Sequence, residues 1–251
     1  MIIDTHIHLY DDRYIEKLDE TIKEAFLEGV VKMIIVGFDY ESSVKAIELS
    51  NKYPNFYAAI GLHPSEVHKN NNEDIRWIYK LITHPKVIAI GEIGLDYYWS
   101  KDYIELQKEL FINQIKIAKE KKLPIIVHSR LASNDTYTIL KENLVKGVLH
   151  CYSQSVEMAK EYVKMGYFLG IGGVLTFKNS REIKEVVKTI DLKYLVVETD
   201  GPYLAPTPFR GKLNKPAYLK YVIEEIANIK NLSIGEVKKS LENSTKNLFG
   251  I

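Results

Sequence analysis

Pro124–Arg130 reads PIIVHSR: a proline, three β-branched apolar residues, then a histidine. A nearly continuous apolar run is the mark of a parallel strand covered by helices, since a half-exposed antiparallel strand would alternate. The pattern recurs in MIID with IHL, KMIIVG, FYAAIGLH, KVIAIGEIGLD, KGVLHCY, GYFLGIGG and YLVVETD, which makes eight runs.

Helical patterns lie between the runs. Ile104, Phe111, Ile115 and Ala118 share one helix face ahead of KEKKLP. Leu219, Val222, Ile223, Ile226 and Ala227 repeat at i, i+3, i+4, i+7 and i+8, and Ser233 with Glu236 reads as a capping box opening a last helix. Eight strand–helix units without an evident linker predict an α/β fold: one (β/α)8 TIM barrel occupying residues 1–251 as a single domain. An open doubly wound sheet is the alternative. The GIGG of Gly170–Gly173 lacks the G-x-G-x-x-G spacing of a dinucleotide loop and falls in the seventh unit instead of the first.

Composition bounds the partners. The chain has 251 residues, 46% hydrophobic and 27% charged, with a formal net charge of +1. Such a balance excludes a broadly basic nucleic-acid surface, so any nucleic acid must be gripped by a local site. A single cysteine, Cys151, excludes an internal disulfide and a multi-cysteine zinc cage. The start MIIDTHIHLYDDRY lacks a secretory pattern, and no apolar run approaches the roughly 20 residues that cross a bilayer. A cytoplasmic protein with no membrane contact and no obligate protein partner is the expectation.

The polar residues are the informative ones. In DTHIH, Asp4, His6 and His8 share one strand face, while Ile3, Thr5 and Ile7 share the other. Other runs break into a polar residue at their C-terminal ends: His63, Glu92, His128, His150 and Asp200. In a barrel this is the end that carries chemistry, because fixed strand register makes these side chains converge. One histidine at a strand end is ordinary; five of the seven in the chain, with two carboxylates, form a pattern.

Imidazole and carboxylate donors without thiolates suit Mg²⁺, Mn²⁺ or Zn²⁺. There are enough for two divalent ions, with His6 and His8 on the first, His128 and His150 on the second, and Glu92 bridging. Asp200 is left to close the first site and to take a proton from the attacking water. Two ions about 4 Å apart hold the oxygens of an in-line displacement, which favours hydrolysis of phosphate esters.

DTHIHL, GLHP, IGEIGLDYY, PIIVHSR, LHCYS and ETDGPYLAP with RGKLNKP together resemble the TatD family of metal-dependent deoxyribonucleases, in the amidohydrolase barrel superfamily, from Asp4 to the NLFG at Asn247–Gly250. The resemblance implies a distorted barrel, a two-metal centre at the strand ends and hydrolysis of DNA, often from a 3′ end of single strands. It implies the ligand set already reached: His6, His8, Glu92, His128, His150 and Asp200, with Asp200 as acid/base.

Around that set, His63 is expected at the pocket mouth as an acid or phosphate contact, or as the residue ordering the turn before Pro64. Arg130 and Arg210 are candidate phosphate contacts, and Tyr97, Tyr98 and Trp99 candidate stacking surfaces for a base. Asp96 is placed to orient a ligand histidine, and Cys151 is expected in the core, with no role for His68 or His84. Two positions depart from the family pattern, Leu131 after HSR and Lys215 in the RGK loop, and both bear on substrate preference. The competing readings keep the metal but change the bond, to a carboxyl ester such as aminoacyl-tRNA or a small amide, or drop catalysis altogether.

Overall fold

The computed structural model describes residues 1–67, 74–98 and 101–251. Among them are eight strands: β1 (Ile2–Ile7), β2 (Val30–Val36), β3 (Phe56–Ile60), β4 (Val87–Asp96), β5 (Ile125–Arg130), β6 (Gly147–Leu149), β7 (Phe168–Ile171) and β8 (Leu195–Val197). Each of the eight apolar runs contains one. The helices are α1 (Leu18–Leu27), α2 (Tyr40–Lys52), α3 (Trp77–Leu81), α4 (Ile104–Lys121), α5 (Ser133–Glu142), α6 (Val156–Lys164), α7 (Arg181–Thr189), α8 (Leu219–Lys230) and α9 (Ile234–Phe249). The strands follow sequence order, β1 to β8, in one eight-stranded sheet, the order of a (β/α)8 barrel. No helix of the described residues is long and apolar enough to cross a membrane.

The described residues group into two compact units, Met1–Ile35 with His150–Ile251, and Val36–Leu149. In the first, the end of β1 runs beside the segment after β8: Thr5 Oγ1 donates to the Val197 carbonyl, Asp200 N to the His6 carbonyl and His8 N to the Gly201 carbonyl. The apolar stripe of α8 is buried from Leu219 to Ala227 at all five predicted positions. Ser233 and Glu236 exchange the two bonds of a capping box at the start of α9.

In the second unit, β3, β4, β5 and β6 pair in parallel order. Phe111, Ile115 and Ala118 of α4 are buried as the helix-face pattern requires, Ile104 at its first position is only half-buried, and α4 stops at Lys122, whose left-handed φ of 56° turns the chain toward Pro124. The ladders are irregular near the functional side chains. The β4–β5 register shifts between Ile90 and Ile93, around Glu92, and the β1–β2 register shifts between Asp4 and Ile7, around His6. Such irregularities re-aim side chains that a regular pleat would alternate away.

Candidate metal centre

In the first unit, the start of β1 is fastened by Asp4. Its carboxylate accepts Thr199 Oγ1 at 2.6 Å, Thr199 N at 3.0 Å and His6 N at 3.3 Å. Burial pushes this carboxyl up to about 7, against the lowering effect of those hydrogen bonds. Asp4 is thus a fastening of β1 to the segment after β8 that carries Asp200.

His6 and His8 present their Nε2 atoms to each other at 3.4 Å, and Asp200 Oδ1 lies 3.7 Å from both. The second nitrogen of His8, Nδ1, meets the Tyr10 hydroxyl at 3.1 Å. His150, immediately after β6, stacks its ring on His6 with centroids 4.2 Å apart. Asp200 has a left-handed φ of 53°, held by the hydrogen bond from its own N–H to His6 O. Two imidazole nitrogens and a carboxylate oxygen converging at these distances are a donor set that a small divalent cation fits.

In the second unit, Glu92 is buried, and its Oε1 lies 2.8 Å from His128 Nδ1 and 3.4 Å from His63 Nε2. His63, Glu92 and His128 each offer one ligand atom within 4.8 Å of the others. The far side of the His128 ring, Nε2, meets Asp96 Oδ2 at 3.1 Å. A carboxylate can only accept, so Asp96 holds the proton on Nε2 and leaves Nδ1 with its lone pair toward Glu92. Two acceptors at 2.8 Å call for a proton or a cation between them, which again fits a metal ligand set. Burial alone would raise the Asp96 carboxyl, but the hydrogen bonds from His128 and the Tyr98 N–H hold it below its usual range.

Two buried glutamines of α4 brace this cluster. Gln107 clamps the Asp96 backbone, donating to its carbonyl and accepting its N–H, and Gln114 does the same for Leu62, beside His63. Gly94 in GEIGLD has φ of 145°, and a Cβ there would run into the His128 carbonyl, so only glycine lets β4 approach β5 at this point.

The remaining sequence candidates are placed as follows. His63 accepts the Ser65 N–H through Nδ1, capping the turn at Pro64 as the second of its two expected settings requires, while its Nε2 faces Glu92. The Arg130 guanidinium lies over the exposed Tyr98 ring at 3.6 Å. Tyr97 instead donates its hydroxyl to Asp135 at 2.7 Å, and burial raises its pKa. Arg210 lies over Phe177 at 4.5 Å. Trp99 and His68 fall outside the described residues. Cys151 is half-buried, not core, with φ of 44°. Leu131 is exposed at a left-handed φ of 54°, and Lys215 pairs with Glu24 of α1 at 2.9 Å, which gives its charge a partner within the fold.

Sequence reasoning missed Glu198. Its side chain lies against His150, and it shares strand parity with Asp200, the signal that would have found it.

Comparison with known proteins agrees with this geometry. The family model described as TatD related DNase matches residues 3–250. The chain belongs to the TatD family of metal-dependent hydrolases. Among TatD relatives, the metal-dependent hydrolase YabD of Bacillus subtilis is 46% identical over the whole of both chains, and YcfH of Escherichia coli K12 is 33% identical over 100% of this chain and 96% of its own. The crystal structure of YJJV, a TatD homolog from Escherichia coli K12, superposes with a TM-score of 0.94 at 30% identity, covering 100% of this chain and 98% of the other. A TatD family hydrolase from Entamoeba histolytica gives 0.86 at 25% identity over 99% and 97%. The fold is therefore the (β/α)8 barrel of TatD proteins, and its buried histidine and carboxylate clusters are groups able to bind the metal on which that hydrolase family depends.

Proposed function

We propose that this TatD-family protein hydrolyses DNA phosphodiester bonds, acting from the 3′ end of single strands, with two divalent ions, Mg²⁺ or Mn²⁺. The observation that carries the reading is Glu92 Oε1 facing the ring nitrogens of both His128 and His63, a carboxylate in the position that the family resemblance gives to a bridging ligand. Superfamily hydrolases of amides often use a modified lysine there. His6, His8, His150 and Asp200 of the first unit, and Glu92 and His128 of the second, are the residues that would hold the ions, and Glu92 is the one to which the family resemblance gives the bridging role.

Divalent ions so held lower the pKa of water and offset charge developing on phosphate oxygens. The residues do the rest. Asp200, whose side chain is 15% exposed, reaches solvent and takes the proton of the attacking water. His63, hydrogen-bonded on Nδ1 and facing Glu92 with Nε2, is positioned to hand a proton to the leaving oxygen. Arg130, planar and stacked on Tyr98, offers its fork to a non-bridging phosphate oxygen, and the Tyr98 face extends the same surface toward a base.

The deciding experiment follows 5′- and 3′-labelled single-stranded DNA with Mg²⁺, with Mn²⁺ and with chelator. Stepwise shortening from the 3′ end that needs a divalent ion is expected. Intact DNA under all conditions, beside rapid turnover of an aminoacyl ester by the same preparation, would replace this reading with the esterase one.

A further inference from the structure

Glu198 follows β8 directly and is 1% exposed, a burial that a carboxylate tolerates only with partners. Its Oε1 accepts the backbone N–H of Cys151 and lies 3.7 Å from His150 Nδ1. Its Oε2 is buried with no hydrogen bond among the described residues. His6, His150 and Glu198 each offer one ligand atom within 4.8 Å of the others, and the His6 and His150 rings are stacked. On His6, Nε2 faces His8 and Asp200.

The GIGG segment finds its purpose here. A Cβ on Gly170 would run into the Glu198 carboxylate, so the glycine keeps the space in which that side chain lies.

We propose that Glu198 is a positioning residue that accepts Nδ1–H from both His150 and His6, fixing each ring with its Nε2 lone pair toward the metal centre. A neutral imidazole carries one proton, and the partner of one nitrogen decides which nitrogen is free to bind metal. An acceptor-only group facing Nδ1 selects the tautomer that frees Nε2. The 3.7 Å from Oε1 to His150 Nδ1 is longer than a hydrogen bond, and its closing is part of the inference. One carboxylate would then couple a ligand of the first ion to a ligand of the second. The inference rests on the reading of His6 and His150 as ligands.

Two measurements test it. In metal-free native protein, ring ¹⁵N NMR of the histidines is expected to show the proton on Nδ1 of both His6 and His150; a proton on Nε2 of either ring overturns the proposal without any variant. Calorimetric titration with Mn²⁺ then compares wild type with Glu198→Gln, His6→Ala and His150→Ala. The glutamine amide has a single accepting oxygen for three donors, so E198Q is expected to keep its circular dichroism and to bind Mn²⁺ roughly 10–100-fold more weakly. Binding by E198Q within twofold of wild type, with H6A and H150A weakened, sinks the role of Glu198 alone. Undiminished binding by H6A and H150A sinks the ligand reading instead, and the proposal with it. Loss of one whole ion from E198Q at unchanged affinity for the rest would make Glu198 a ligand, which also overturns a positioning role.

Discussion

His128 Nε2 lies 3.1 Å from Asp96 Oδ2, while Asp96 Oδ1 accepts the Tyr98 N–H at 2.9 Å. The Asp96 carboxylate therefore serves two donors at once, and D96N leaves only one accepting oxygen for both. We expect D96N to fold and to bind Mn²⁺ about 10–100-fold more weakly, read by calorimetric titration. Wild-type affinity in D96N would show that Asp96 has no hold on the ligand.

The same carboxyl gives a pH dependence. Its folded pKa is depressed, so the folded state binds the proton less readily than the unfolded chain, where the value is about 3.9. The stabilisation it brings is present above that unfolded value and is lost as the pH falls through the lower folded one. In metal-free protein, the gap in unfolding free energy between wild type and D96N is expected to be widest near neutrality and to close in acid. Denaturant titrations across that range check it; a constant gap contradicts it.

Asp200 is tied to both first-strand histidines, with Oδ1 3.7 Å from each Nε2. In the proposed DNA hydrolysis D200N would keep the shape and lose the base, so kcat on single-stranded DNA should fall by about 10²–10⁴-fold with a smaller change in KM. A loss confined to KM would assign Asp200 to binding instead.

Chelation tests the metal clusters apart from activity. An ion bound only by the folded state, at a free concentration about 100-fold above its Kd, adds about 2.7 kcal/mol to stability. Thermal melts should show the midpoint dropping on chelation and returning with Mn²⁺. E92Q, which weakens the His63–Glu92–His128 cluster, should blunt that response.

The Gln114 amide pairs with both backbone groups of the buried Leu62, accepting its N–H at 2.7 Å and donating to its carbonyl at 3.1 Å. Gln114→Leu orphans both, at about 1–3 kcal/mol for each group. Because Leu62 precedes His63, the variant should also lower the rate. Guanidinium unfolding curves give the first quantity, and a shift smaller than 1 kcal/mol, on the order of one orphaned group at most, would argue that the strand end relaxes to recover its bonds.

Sequence alone determined the eight strands, most of the buried face of α4, that of α8 and the α9 capping box, because each rests on local periodicity or local hydrogen bonding, whereas Glu92, read as a strand end, lies inside β4. PIIVHSR could be read without its neighbours: its apolar continuity names the buried strand β5. Periodicity says which face a side chain occupies, but not which atom of a ring or carboxylate meets which partner. Tertiary structure decided that His128 turns Nδ1 to Glu92 and Nε2 to Asp96, and that Tyr98, not Tyr97, carries the Arg130 guanidinium. It likewise set Glu198 beside His150 in the space that Gly170 leaves open. Those pairings join residues far apart in sequence through irregular strand registers, and a register is set by packing across the sheet, which no single segment contains.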